Sequence, residues 1–222
     1  MNSINHFYFD GYDIDNELLN DVEHVKNFIS EINDVVENGT GKITLMPYFD
    51  GKIKRDGGIS CCIIADNFHF TCHTFSFKNT VFIDCFGFDN CKEKLLPIIL
   101  KYYKTDNYDL CTDNIGPGKF GKHIILSSSP ISYDEGLEVI KTLLKDIEMT
   151  PIHDVITNYK DESHFDLLQP IAESHISIHR NDEEMTVDIF SCKDFDENKV
   201  YELFGDSIKD SYAVNRGVYY KQ

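Results

Sequence analysis

Two stretches of this chain spell one pattern twice, and that repetition narrows the folds open to it more than any other feature. Phe68-His69-Phe70-Thr71-Cys72-His73 lines up with Ser174-His175-Ile176-Ser177-Ile178-His179 at an offset of 106 residues, and Ile83-Asp84-Cys85-Phe86 with Val187-Asp188-Ile189-Phe190 at an offset of 104. The connecting turn is therefore two residues shorter in the second copy. The order of elements around the two stretches repeats as well. In the first copy Leu18, Val22, Val25, Ile29, Ile32 and Val36 recur at steps of three and four, which predicts a helix over 18–37 ended by Asn38-Gly39. Strand-like pieces follow at 43–49, 59–65, 68–75 and 80–86, then a helix over 89–103 that contains Pro97. A turn-rich run, 113–121, with Gly116-Pro117-Gly118, precedes the second copy. There a strand at 123–126 leads to a helix marked by Tyr133, Leu137, Ile140, Leu144 and Ile147. Strands at 165–172, 175–179 and 185–191 and a helix over 194–204 complete it.

The two copies predict an α+β fold of two tandem β-α-β-β-β-α-like units, residues 1–112 and 113–222, joined as a pseudo-dimer. Short turns join successive strands, so the sheets should be antiparallel, each covered by helices on one face. A length of 222 residues alone would leave one domain or two open.

Composition excludes several roles. Twenty-one Lys and Arg against 38 Asp and Glu give a formal net charge of −17. Such a chain has no basic stripe with which to release counterions from a nucleic acid, and an anionic membrane surface repels it. A cationic ligand would instead be attracted. The 41% of hydrophobic residues suffice for an ordinary core. The longest apolar stretches, such as 61–65 and 95–100, fall far short of the ~20 residues a membrane helix needs, and residues 1–10 do not read as a secretory signal. Seven cysteines with no CxxC pair at metal-ligand spacing read as reduced thiols, most of them core fillers. No metal and a cytoplasmic location are expected.

The stretch richest in chemistry is Ala172-Glu173-Ser174-His175-Ile176-Ser177-Ile178-His179, followed by Thr186-Val187-Asp188-Ile189-Phe190-Ser191-Cys192. It resembles the prokaryotic-type S-adenosylmethionine decarboxylase proenzymes, in which Glu-Ser-His-x-(Ser/Thr)-Ile-His is followed by (Ile/Val)-Asp-(hydrophobic)-Phe-Thr-Cys. The second half matches closely and the first in outline. Glu162-Ser163-His164 spells the short triplet too, but no His stands five residues after its Ser, and it reads as a decoy.

The resemblance implies self-cleavage between Glu173 and Ser174. This would give a β chain of 1–173 and an α chain of 174–222 whose first residue becomes a pyruvoyl group, the cofactor. A Ser hydroxyl can attack the preceding carbonyl to form an ester that eliminates and hydrolyses to a ketone. Such a ketone condenses with a substrate amine and takes up the electrons left when CO₂ departs. The implied function is decarboxylation of S-adenosylmethionine, supplying the aminopropyl donor for spermidine. The implied partners are that small-molecule substrate and the two chains of one proenzyme, with a homo-oligomer left open.

In this family the site lies between two copies of the fold, the pyruvoyl Ser and a proton-donating Cys coming from one and a processing Ser and His from the other. Here the second copy keeps Ser174 and Cys192 but has Asp166 where the processing Ser would stand. The first copy has Phe68 and Phe88 in place of the pyruvoyl Ser and the Cys, yet keeps Ser60 and His73, 13 residues apart. One complete set remains. By resemblance His73 is the general base that opens the ester and Ser60 hydrogen-bonds the intermediate; Cys192 returns a proton to the α-carbon, and Glu173 ends as the β-chain carboxylate. Taken singly these residues say little, because a Cys after a strand is most often a core filler and a strand His most often structural. The joint spacing carries the inference, and His175 and His179 read as structural remnants.

Two departures keep alternatives open. The family's ribose-binding Glu, four residues after the processing His, is Phe77 here, while Glu183 holds that place in the second copy. The segment where an aromatic stacks on adenine is altered to Lys52-Ile53-Lys54-Arg55, after Tyr48 and Phe49. A relative with the same processing whose pocket takes a cationic amino acid, arginine or ornithine, is one alternative, and a non-catalytic regulatory homologue is the other.

Overall fold

A computed structural model describes residues 6–36, 39–48, 57–88, 90–110, 121–172 and 174–216. The chain divides into two compact units, Met1–Thr112 and Asp113–Gln222. In the first the order is β1 (His6–Gly11), α1 (Asn16–Asn20), α2 (Val22–Val36), β2 (Lys42–Tyr48), β3 (Gly58–Ala65), β4 (Phe68–Phe75), a 3-10 turn at Ser76–Lys78, β5 (Thr80–Phe86), α3 (Cys91–Tyr103) and β6 (Tyr108–Leu110). Its strands form one antiparallel sheet in the order β2-β3-β4-β5-β1-β6.

The second unit runs β7 (Gly121–Ser128), α4 (Tyr133–Asp146), β8 (Ile156–Asp161), β9 (His164–Ile171), β10 (Ser174–Arg180), β11 (Met185–Ser191), α5 (Glu197–Phe204) and β12 (Ile208–Arg216). Its sheet order, β12-β7-β11-β10-β9-β8, is that of the first unit read from the other edge, with β7 in the place of β1 and so on through β12 and β6. The fold is α+β in two similar halves. Each half carries six strands where the repeat read from sequence had four, the additions being β1 and β6 in the first half and β8 and β12 in the second.

Side-chain alternation along the strands sets one apolar face under the helices. On β4 Phe68, Phe70 and Cys72 join the core beneath α2 and α3, with Cys61 and Ile63 of β3, Ile83 and Cys85 of β5, and Phe28, Ile29, Ile32, Leu95 and Ile99 of the helices. In the second unit Ile176 and Ile178 of β10 and Val187 and Ile189 of β11 pack with Ile140, Leu143 and Val200. The intervening residues His69, Thr71, His73, Asp84, His175, Ser177, His179 and Asp188 lie on the opposite faces and are buried as well. Polar chemistry is thus sorted to one face of each sheet.

The helix expected over 18–37 is two helices. Asp21 is extended at ψ 104, which ends α1, and its carboxylate accepts the N–H groups of Glu23 and His24 at 2.9 and 3.1 Å, which starts α2. The buried stripe is accordingly Leu19, Val25, Phe28, Ile29, Ile32 and Val36, and Val22 is exposed. In α4 Ser132 and Glu135 form a reciprocal capping box. Among the described residues no helix is long and apolar enough to cross a membrane.

Candidate active site

The antiparallel register places Ser60 of β3 directly opposite His73 of β4. Their side chains meet, Ser60 Oγ to His73 Nδ1 at 2.9 Å, and both residues are buried. Contact at Nδ1 orients the ring, and in the tautomer whose Nδ1–H donates to Ser60 the basic lone pair is on Nε2. The start of β3 is held by Thr74, whose hydroxyl accepts the Ile59 N–H at 2.9 Å and donates to the Leu19 carbonyl at 2.8 Å. Gly58 is needed here because a Cβ would fall 1.7 Å from the Thr74 carbonyl oxygen. One residue before Ser60, the backbone is therefore clamped by a side chain that sequence reasoning did not single out.

The second unit keeps the same geometry with different chemistry. Asp166 of β9 faces His179 of β10 in register, Oδ1 to Nδ1 at 2.7 Å, and Asn158 of β8 donates to the other carboxylate oxygen at 3.1 Å. A carboxylate accepts only, so this pair fixes the ring through an Nδ1–H, whereas a hydroxyl can give or accept. Glu183, at the place matching Phe77, is exposed, and Phe77 itself is 60% exposed on the 3-10 turn.

Ser174 opens β10, lies opposite Ser191 of β11, and is fully buried. Its φ is 144°, whereas the other described non-glycine residues with positive φ lie between 49° and 58°, in the ordinary left-handed well. A side chain at +144° crowds its own backbone at a cost of roughly 1–3 kcal/mol. Cys192 follows Ser191 immediately, so it stands one step past the residue paired with Ser174. The Ser191 hydroxyl brackets it by donating to the Lys193 carbonyl at 2.7 Å and accepting the Lys193 N–H at 3.0 Å. Glu173, with Phe49, Lys52-Ile53-Lys54-Arg55 and Gly116-Pro117-Gly118, lies outside the described residues.

At the matching places in the first unit Phe68 meets Phe88 edge to face, centroids 6.1 Å apart, and Phe68 belongs to the core. The Ser60–His73 pair thus lies in one unit and the Ser174–Cys192 neighbourhood in the other.

Each unit also holds a buried His-Asp-His group. His6 Nε2 lies 2.9 Å and His69 Nε2 3.8 Å from Asp84 Oδ1, and His123 and His175 lie 2.7 and 3.7 Å from Asp188 Oδ1. Asp84, Asp188, His69 and His175 were visible in the repeat. His6 and His123 were missed, since nothing local in the sequence ties them to an aspartate 78 or 65 residues away. The six described cysteines are reduced, Cys192 being the one that is only half-buried. Burial pushes the Cys61 thiol well up and Cys62 up to about 12, as suits inert core fillers.

An α+β fold built twice, with a serine-histidine pair on one sheet and a strained serine beside a cysteine on the other, defines a duplicated class of chain in which the two halves have diverged in their polar residues. The S-adenosylmethionine decarboxylase family model matches residues 5–112 and 134–216, and the chain belongs to that family. Among solved structures it is similar to the adenosylmethionine decarboxylase of Aquifex aeolicus VF5, with 20% identity and a TM-score of 0.40, over 47% of this chain and 97% of that one. No curated protein matched.

Proposed function

We propose that this chain is a self-processing, pyruvoyl-dependent S-adenosylmethionine decarboxylase of the cytoplasm, supplying the aminopropyl donor for spermidine. The observation that carries the proposal is Ser174, fully buried and held at φ 144° at the head of β10. Strain at this residue favours any reaction that relieves its backbone. A buried serine whose register partner immediately precedes a reduced cysteine also fits a pyruvoyl group made from Ser174. Once formed, that group supplies an electron sink for loss of CO₂.

The chain's own residues have separate tasks. The Ser174 hydroxyl attacks the carbonyl before it, exchanging a peptide bond for an ester. His73, oriented through Nδ1 by Ser60, removes the Ser174 α-proton, and residue 173 departs as a carboxylate. Cys192 then serves as the proton store for the substrate carbon, with its position fixed by Ser191. The proposal takes Ser60 and His73 from one unit and Ser174 and Cys192 from the other, on the pattern of the family. The surplus of acidic residues attracts a cationic substrate.

Denaturing mass spectrometry tests processing. Fragments 1–173 and 174–222, the second without a free amino terminus, are expected, whereas an intact chain of 25.6 kDa overturns the proposal. Ser174→Ala should remain uncut, and His73→Ala should stall at an ester that hydroxylamine cleaves. A second reading, decarboxylation of arginine or ornithine, is favoured by the exposed Phe77 where the family has its ribose-binding Glu. Release of labelled CO₂ from the three substrates separates the two.

A further inference from the structure

The proposed chemistry does not use a close pair of thiols in the first unit. Cys85 near the end of β5 and Cys91 at the first position of α3 bring their sulfurs to 3.6 Å. The chain turns back between them through Gly87, at φ +83, where a Cβ would lie 1.9 Å from the Asn67 carbonyl oxygen, and Asn90, at φ +58. The turn that juxtaposes the sulfurs therefore depends on residues at ease in left-handed backbone.

The two thiols are not equivalent. Cys85 is fully buried, whereas Cys91 keeps 7% of its surface exposed. Cys91 sits at the N-terminus of a 13-residue helix, where the helix dipole favours negative charge. The Cys85 thiol, the charge of His6 and nearby backbone groups together hold the Cys91 thiol below its ordinary range against the opposing effect of burial. Burial and the neighbouring Cys91 push Cys85 up. Of the two thiols Cys91 is therefore the one that ionises more readily, and it is the less deeply buried residue.

We propose that Cys91 and Cys85 are a nucleophilic and a resolving thiol that react with a low-molecular-weight disulfide to close an intramolecular disulfide. The Cys91 thiolate attacks one sulfur of the small disulfide, forming a mixed disulfide and expelling one small thiolate, which picks up a proton. Cys85 loses its proton and attacks the Cys91 sulfur, expelling the second small thiol. Two protein thiols are oxidised by two electrons, and one small disulfide is reduced to two thiols. Closure brings the sulfurs from 3.6 Å to a bond of about 2.05 Å. The bond ties β5 to α3 across the turn that carries Phe88, and removes the Cys91 S–H donated to the Phe88 carbonyl at 2.6 Å.

The experiment incubates the full chain with oxidised glutathione, alkylates it after denaturation and maps it with trypsin. Residues 79–92 form one tryptic peptide containing both cysteines. It is expected two hydrogens lighter and without alkyl groups, while the other five cysteines remain alkylated. Cys85→Ser should accumulate one glutathione on residue 91, and Cys91→Ser should leave Cys85 unmodified. In the native wild-type chain, which needs no variant to fold, Cys91 should be alkylated at least tenfold faster than Cys62. Full alkylation of the 79–92 peptide after oxidation, a disulfide between other cysteines in preference, or equal native reactivity of Cys91 and Cys62 would each overturn the proposal. Failure of Ser174 to process leaves these outcomes unaffected.

Discussion

Thr74 gives the most exposed test of how the first half holds its serine-histidine pair. Replacing it with Val keeps the side chain's shape and removes only the hydroxyl, which accepts the Ile59 N–H at 2.9 Å and donates to the Leu19 carbonyl at 2.8 Å. Thr74 is buried, so water does not take over either role. Each group left without its partner costs about 1–3 kcal/mol, or about 2–6 kcal/mol for both. At roughly 4 °C per kcal/mol for a unit of this size, the melting temperature of the first unit should fall by about 10 °C or more. The slackened backbone at Ile59 directly precedes Ser60, so cleavage before residue 174 should slow as well. Thr74→Ser keeps the hydroxyl and loses one methyl, about 1 kcal/mol, and should restore most of both properties. Calorimetry and the time course of fragment appearance are the assays. Val and native proteins that melt together would refute the clamp, and a low-melting Val variant that still processes at the native rate would detach the clamp from Ser60.

In the second half, Asp166→Ala removes the carboxylate bonded to His179 and Asn158 and should destabilise that unit by about 1.5–3 kcal/mol, without slowing cleavage in the way His73→Ala does; chemical denaturation with a parallel processing assay checks both parts. Asp161, at the turn between β8 and β9, has its carboxyl lowered to about 2 by the hydroxyl and N–H of Ser163, with His164 adding to the effect. A depressed carboxylate favours the folded turn above its unfolded value of about 3.9, and that preference is lost as pH falls toward 2. A carbon-detected NMR titration should place its midpoint near 2, and Ser163→Ala should move it up toward the ordinary carboxylate range.

The central strands were legible because their alternation is strict. Phe68, Phe70 and Cys72 point to one face while His69, Thr71 and His73 point to the other, and the observed strand has the bounds that pattern suggests. The edges were not. β8, with the sequence ITNYKD, exposes its last three residues and buries none, so no apolar rhythm marks it. The opposite problem hid β1, where Phe7 to Gly11 are all buried and the polar-looking Asp10 is fully covered. The helix break at Asp21 escaped notice because apolar residues continue past it at helical spacing, although Val22 points outward. Of the candidate site, Ser60 and His73 were singled out by resemblance to the family, and the register turns their separation of 13 into direct contact across a hairpin. Thr74, Asn158, His6 and His123 act through partners fixed only by the tertiary fold.

The position of Ser174 within its sheet has a consequence for reversibility. The proposed break falls between β9, which ends at Ile171, and β10, which begins at Ser174. The shorter piece would carry β10, β11 and β12, and each borders a strand of the longer piece, β9 for the first and β7 for the other two. Three ladders would still hold the pieces together, while their separation would become a dissociation. The uncut Ser174→Ala chain should therefore refold from urea by a first-order process. The cut protein should regain structure at a rate that depends on concentration, so maturation would turn a self-contained folding problem into an assembly problem that dilution can defeat.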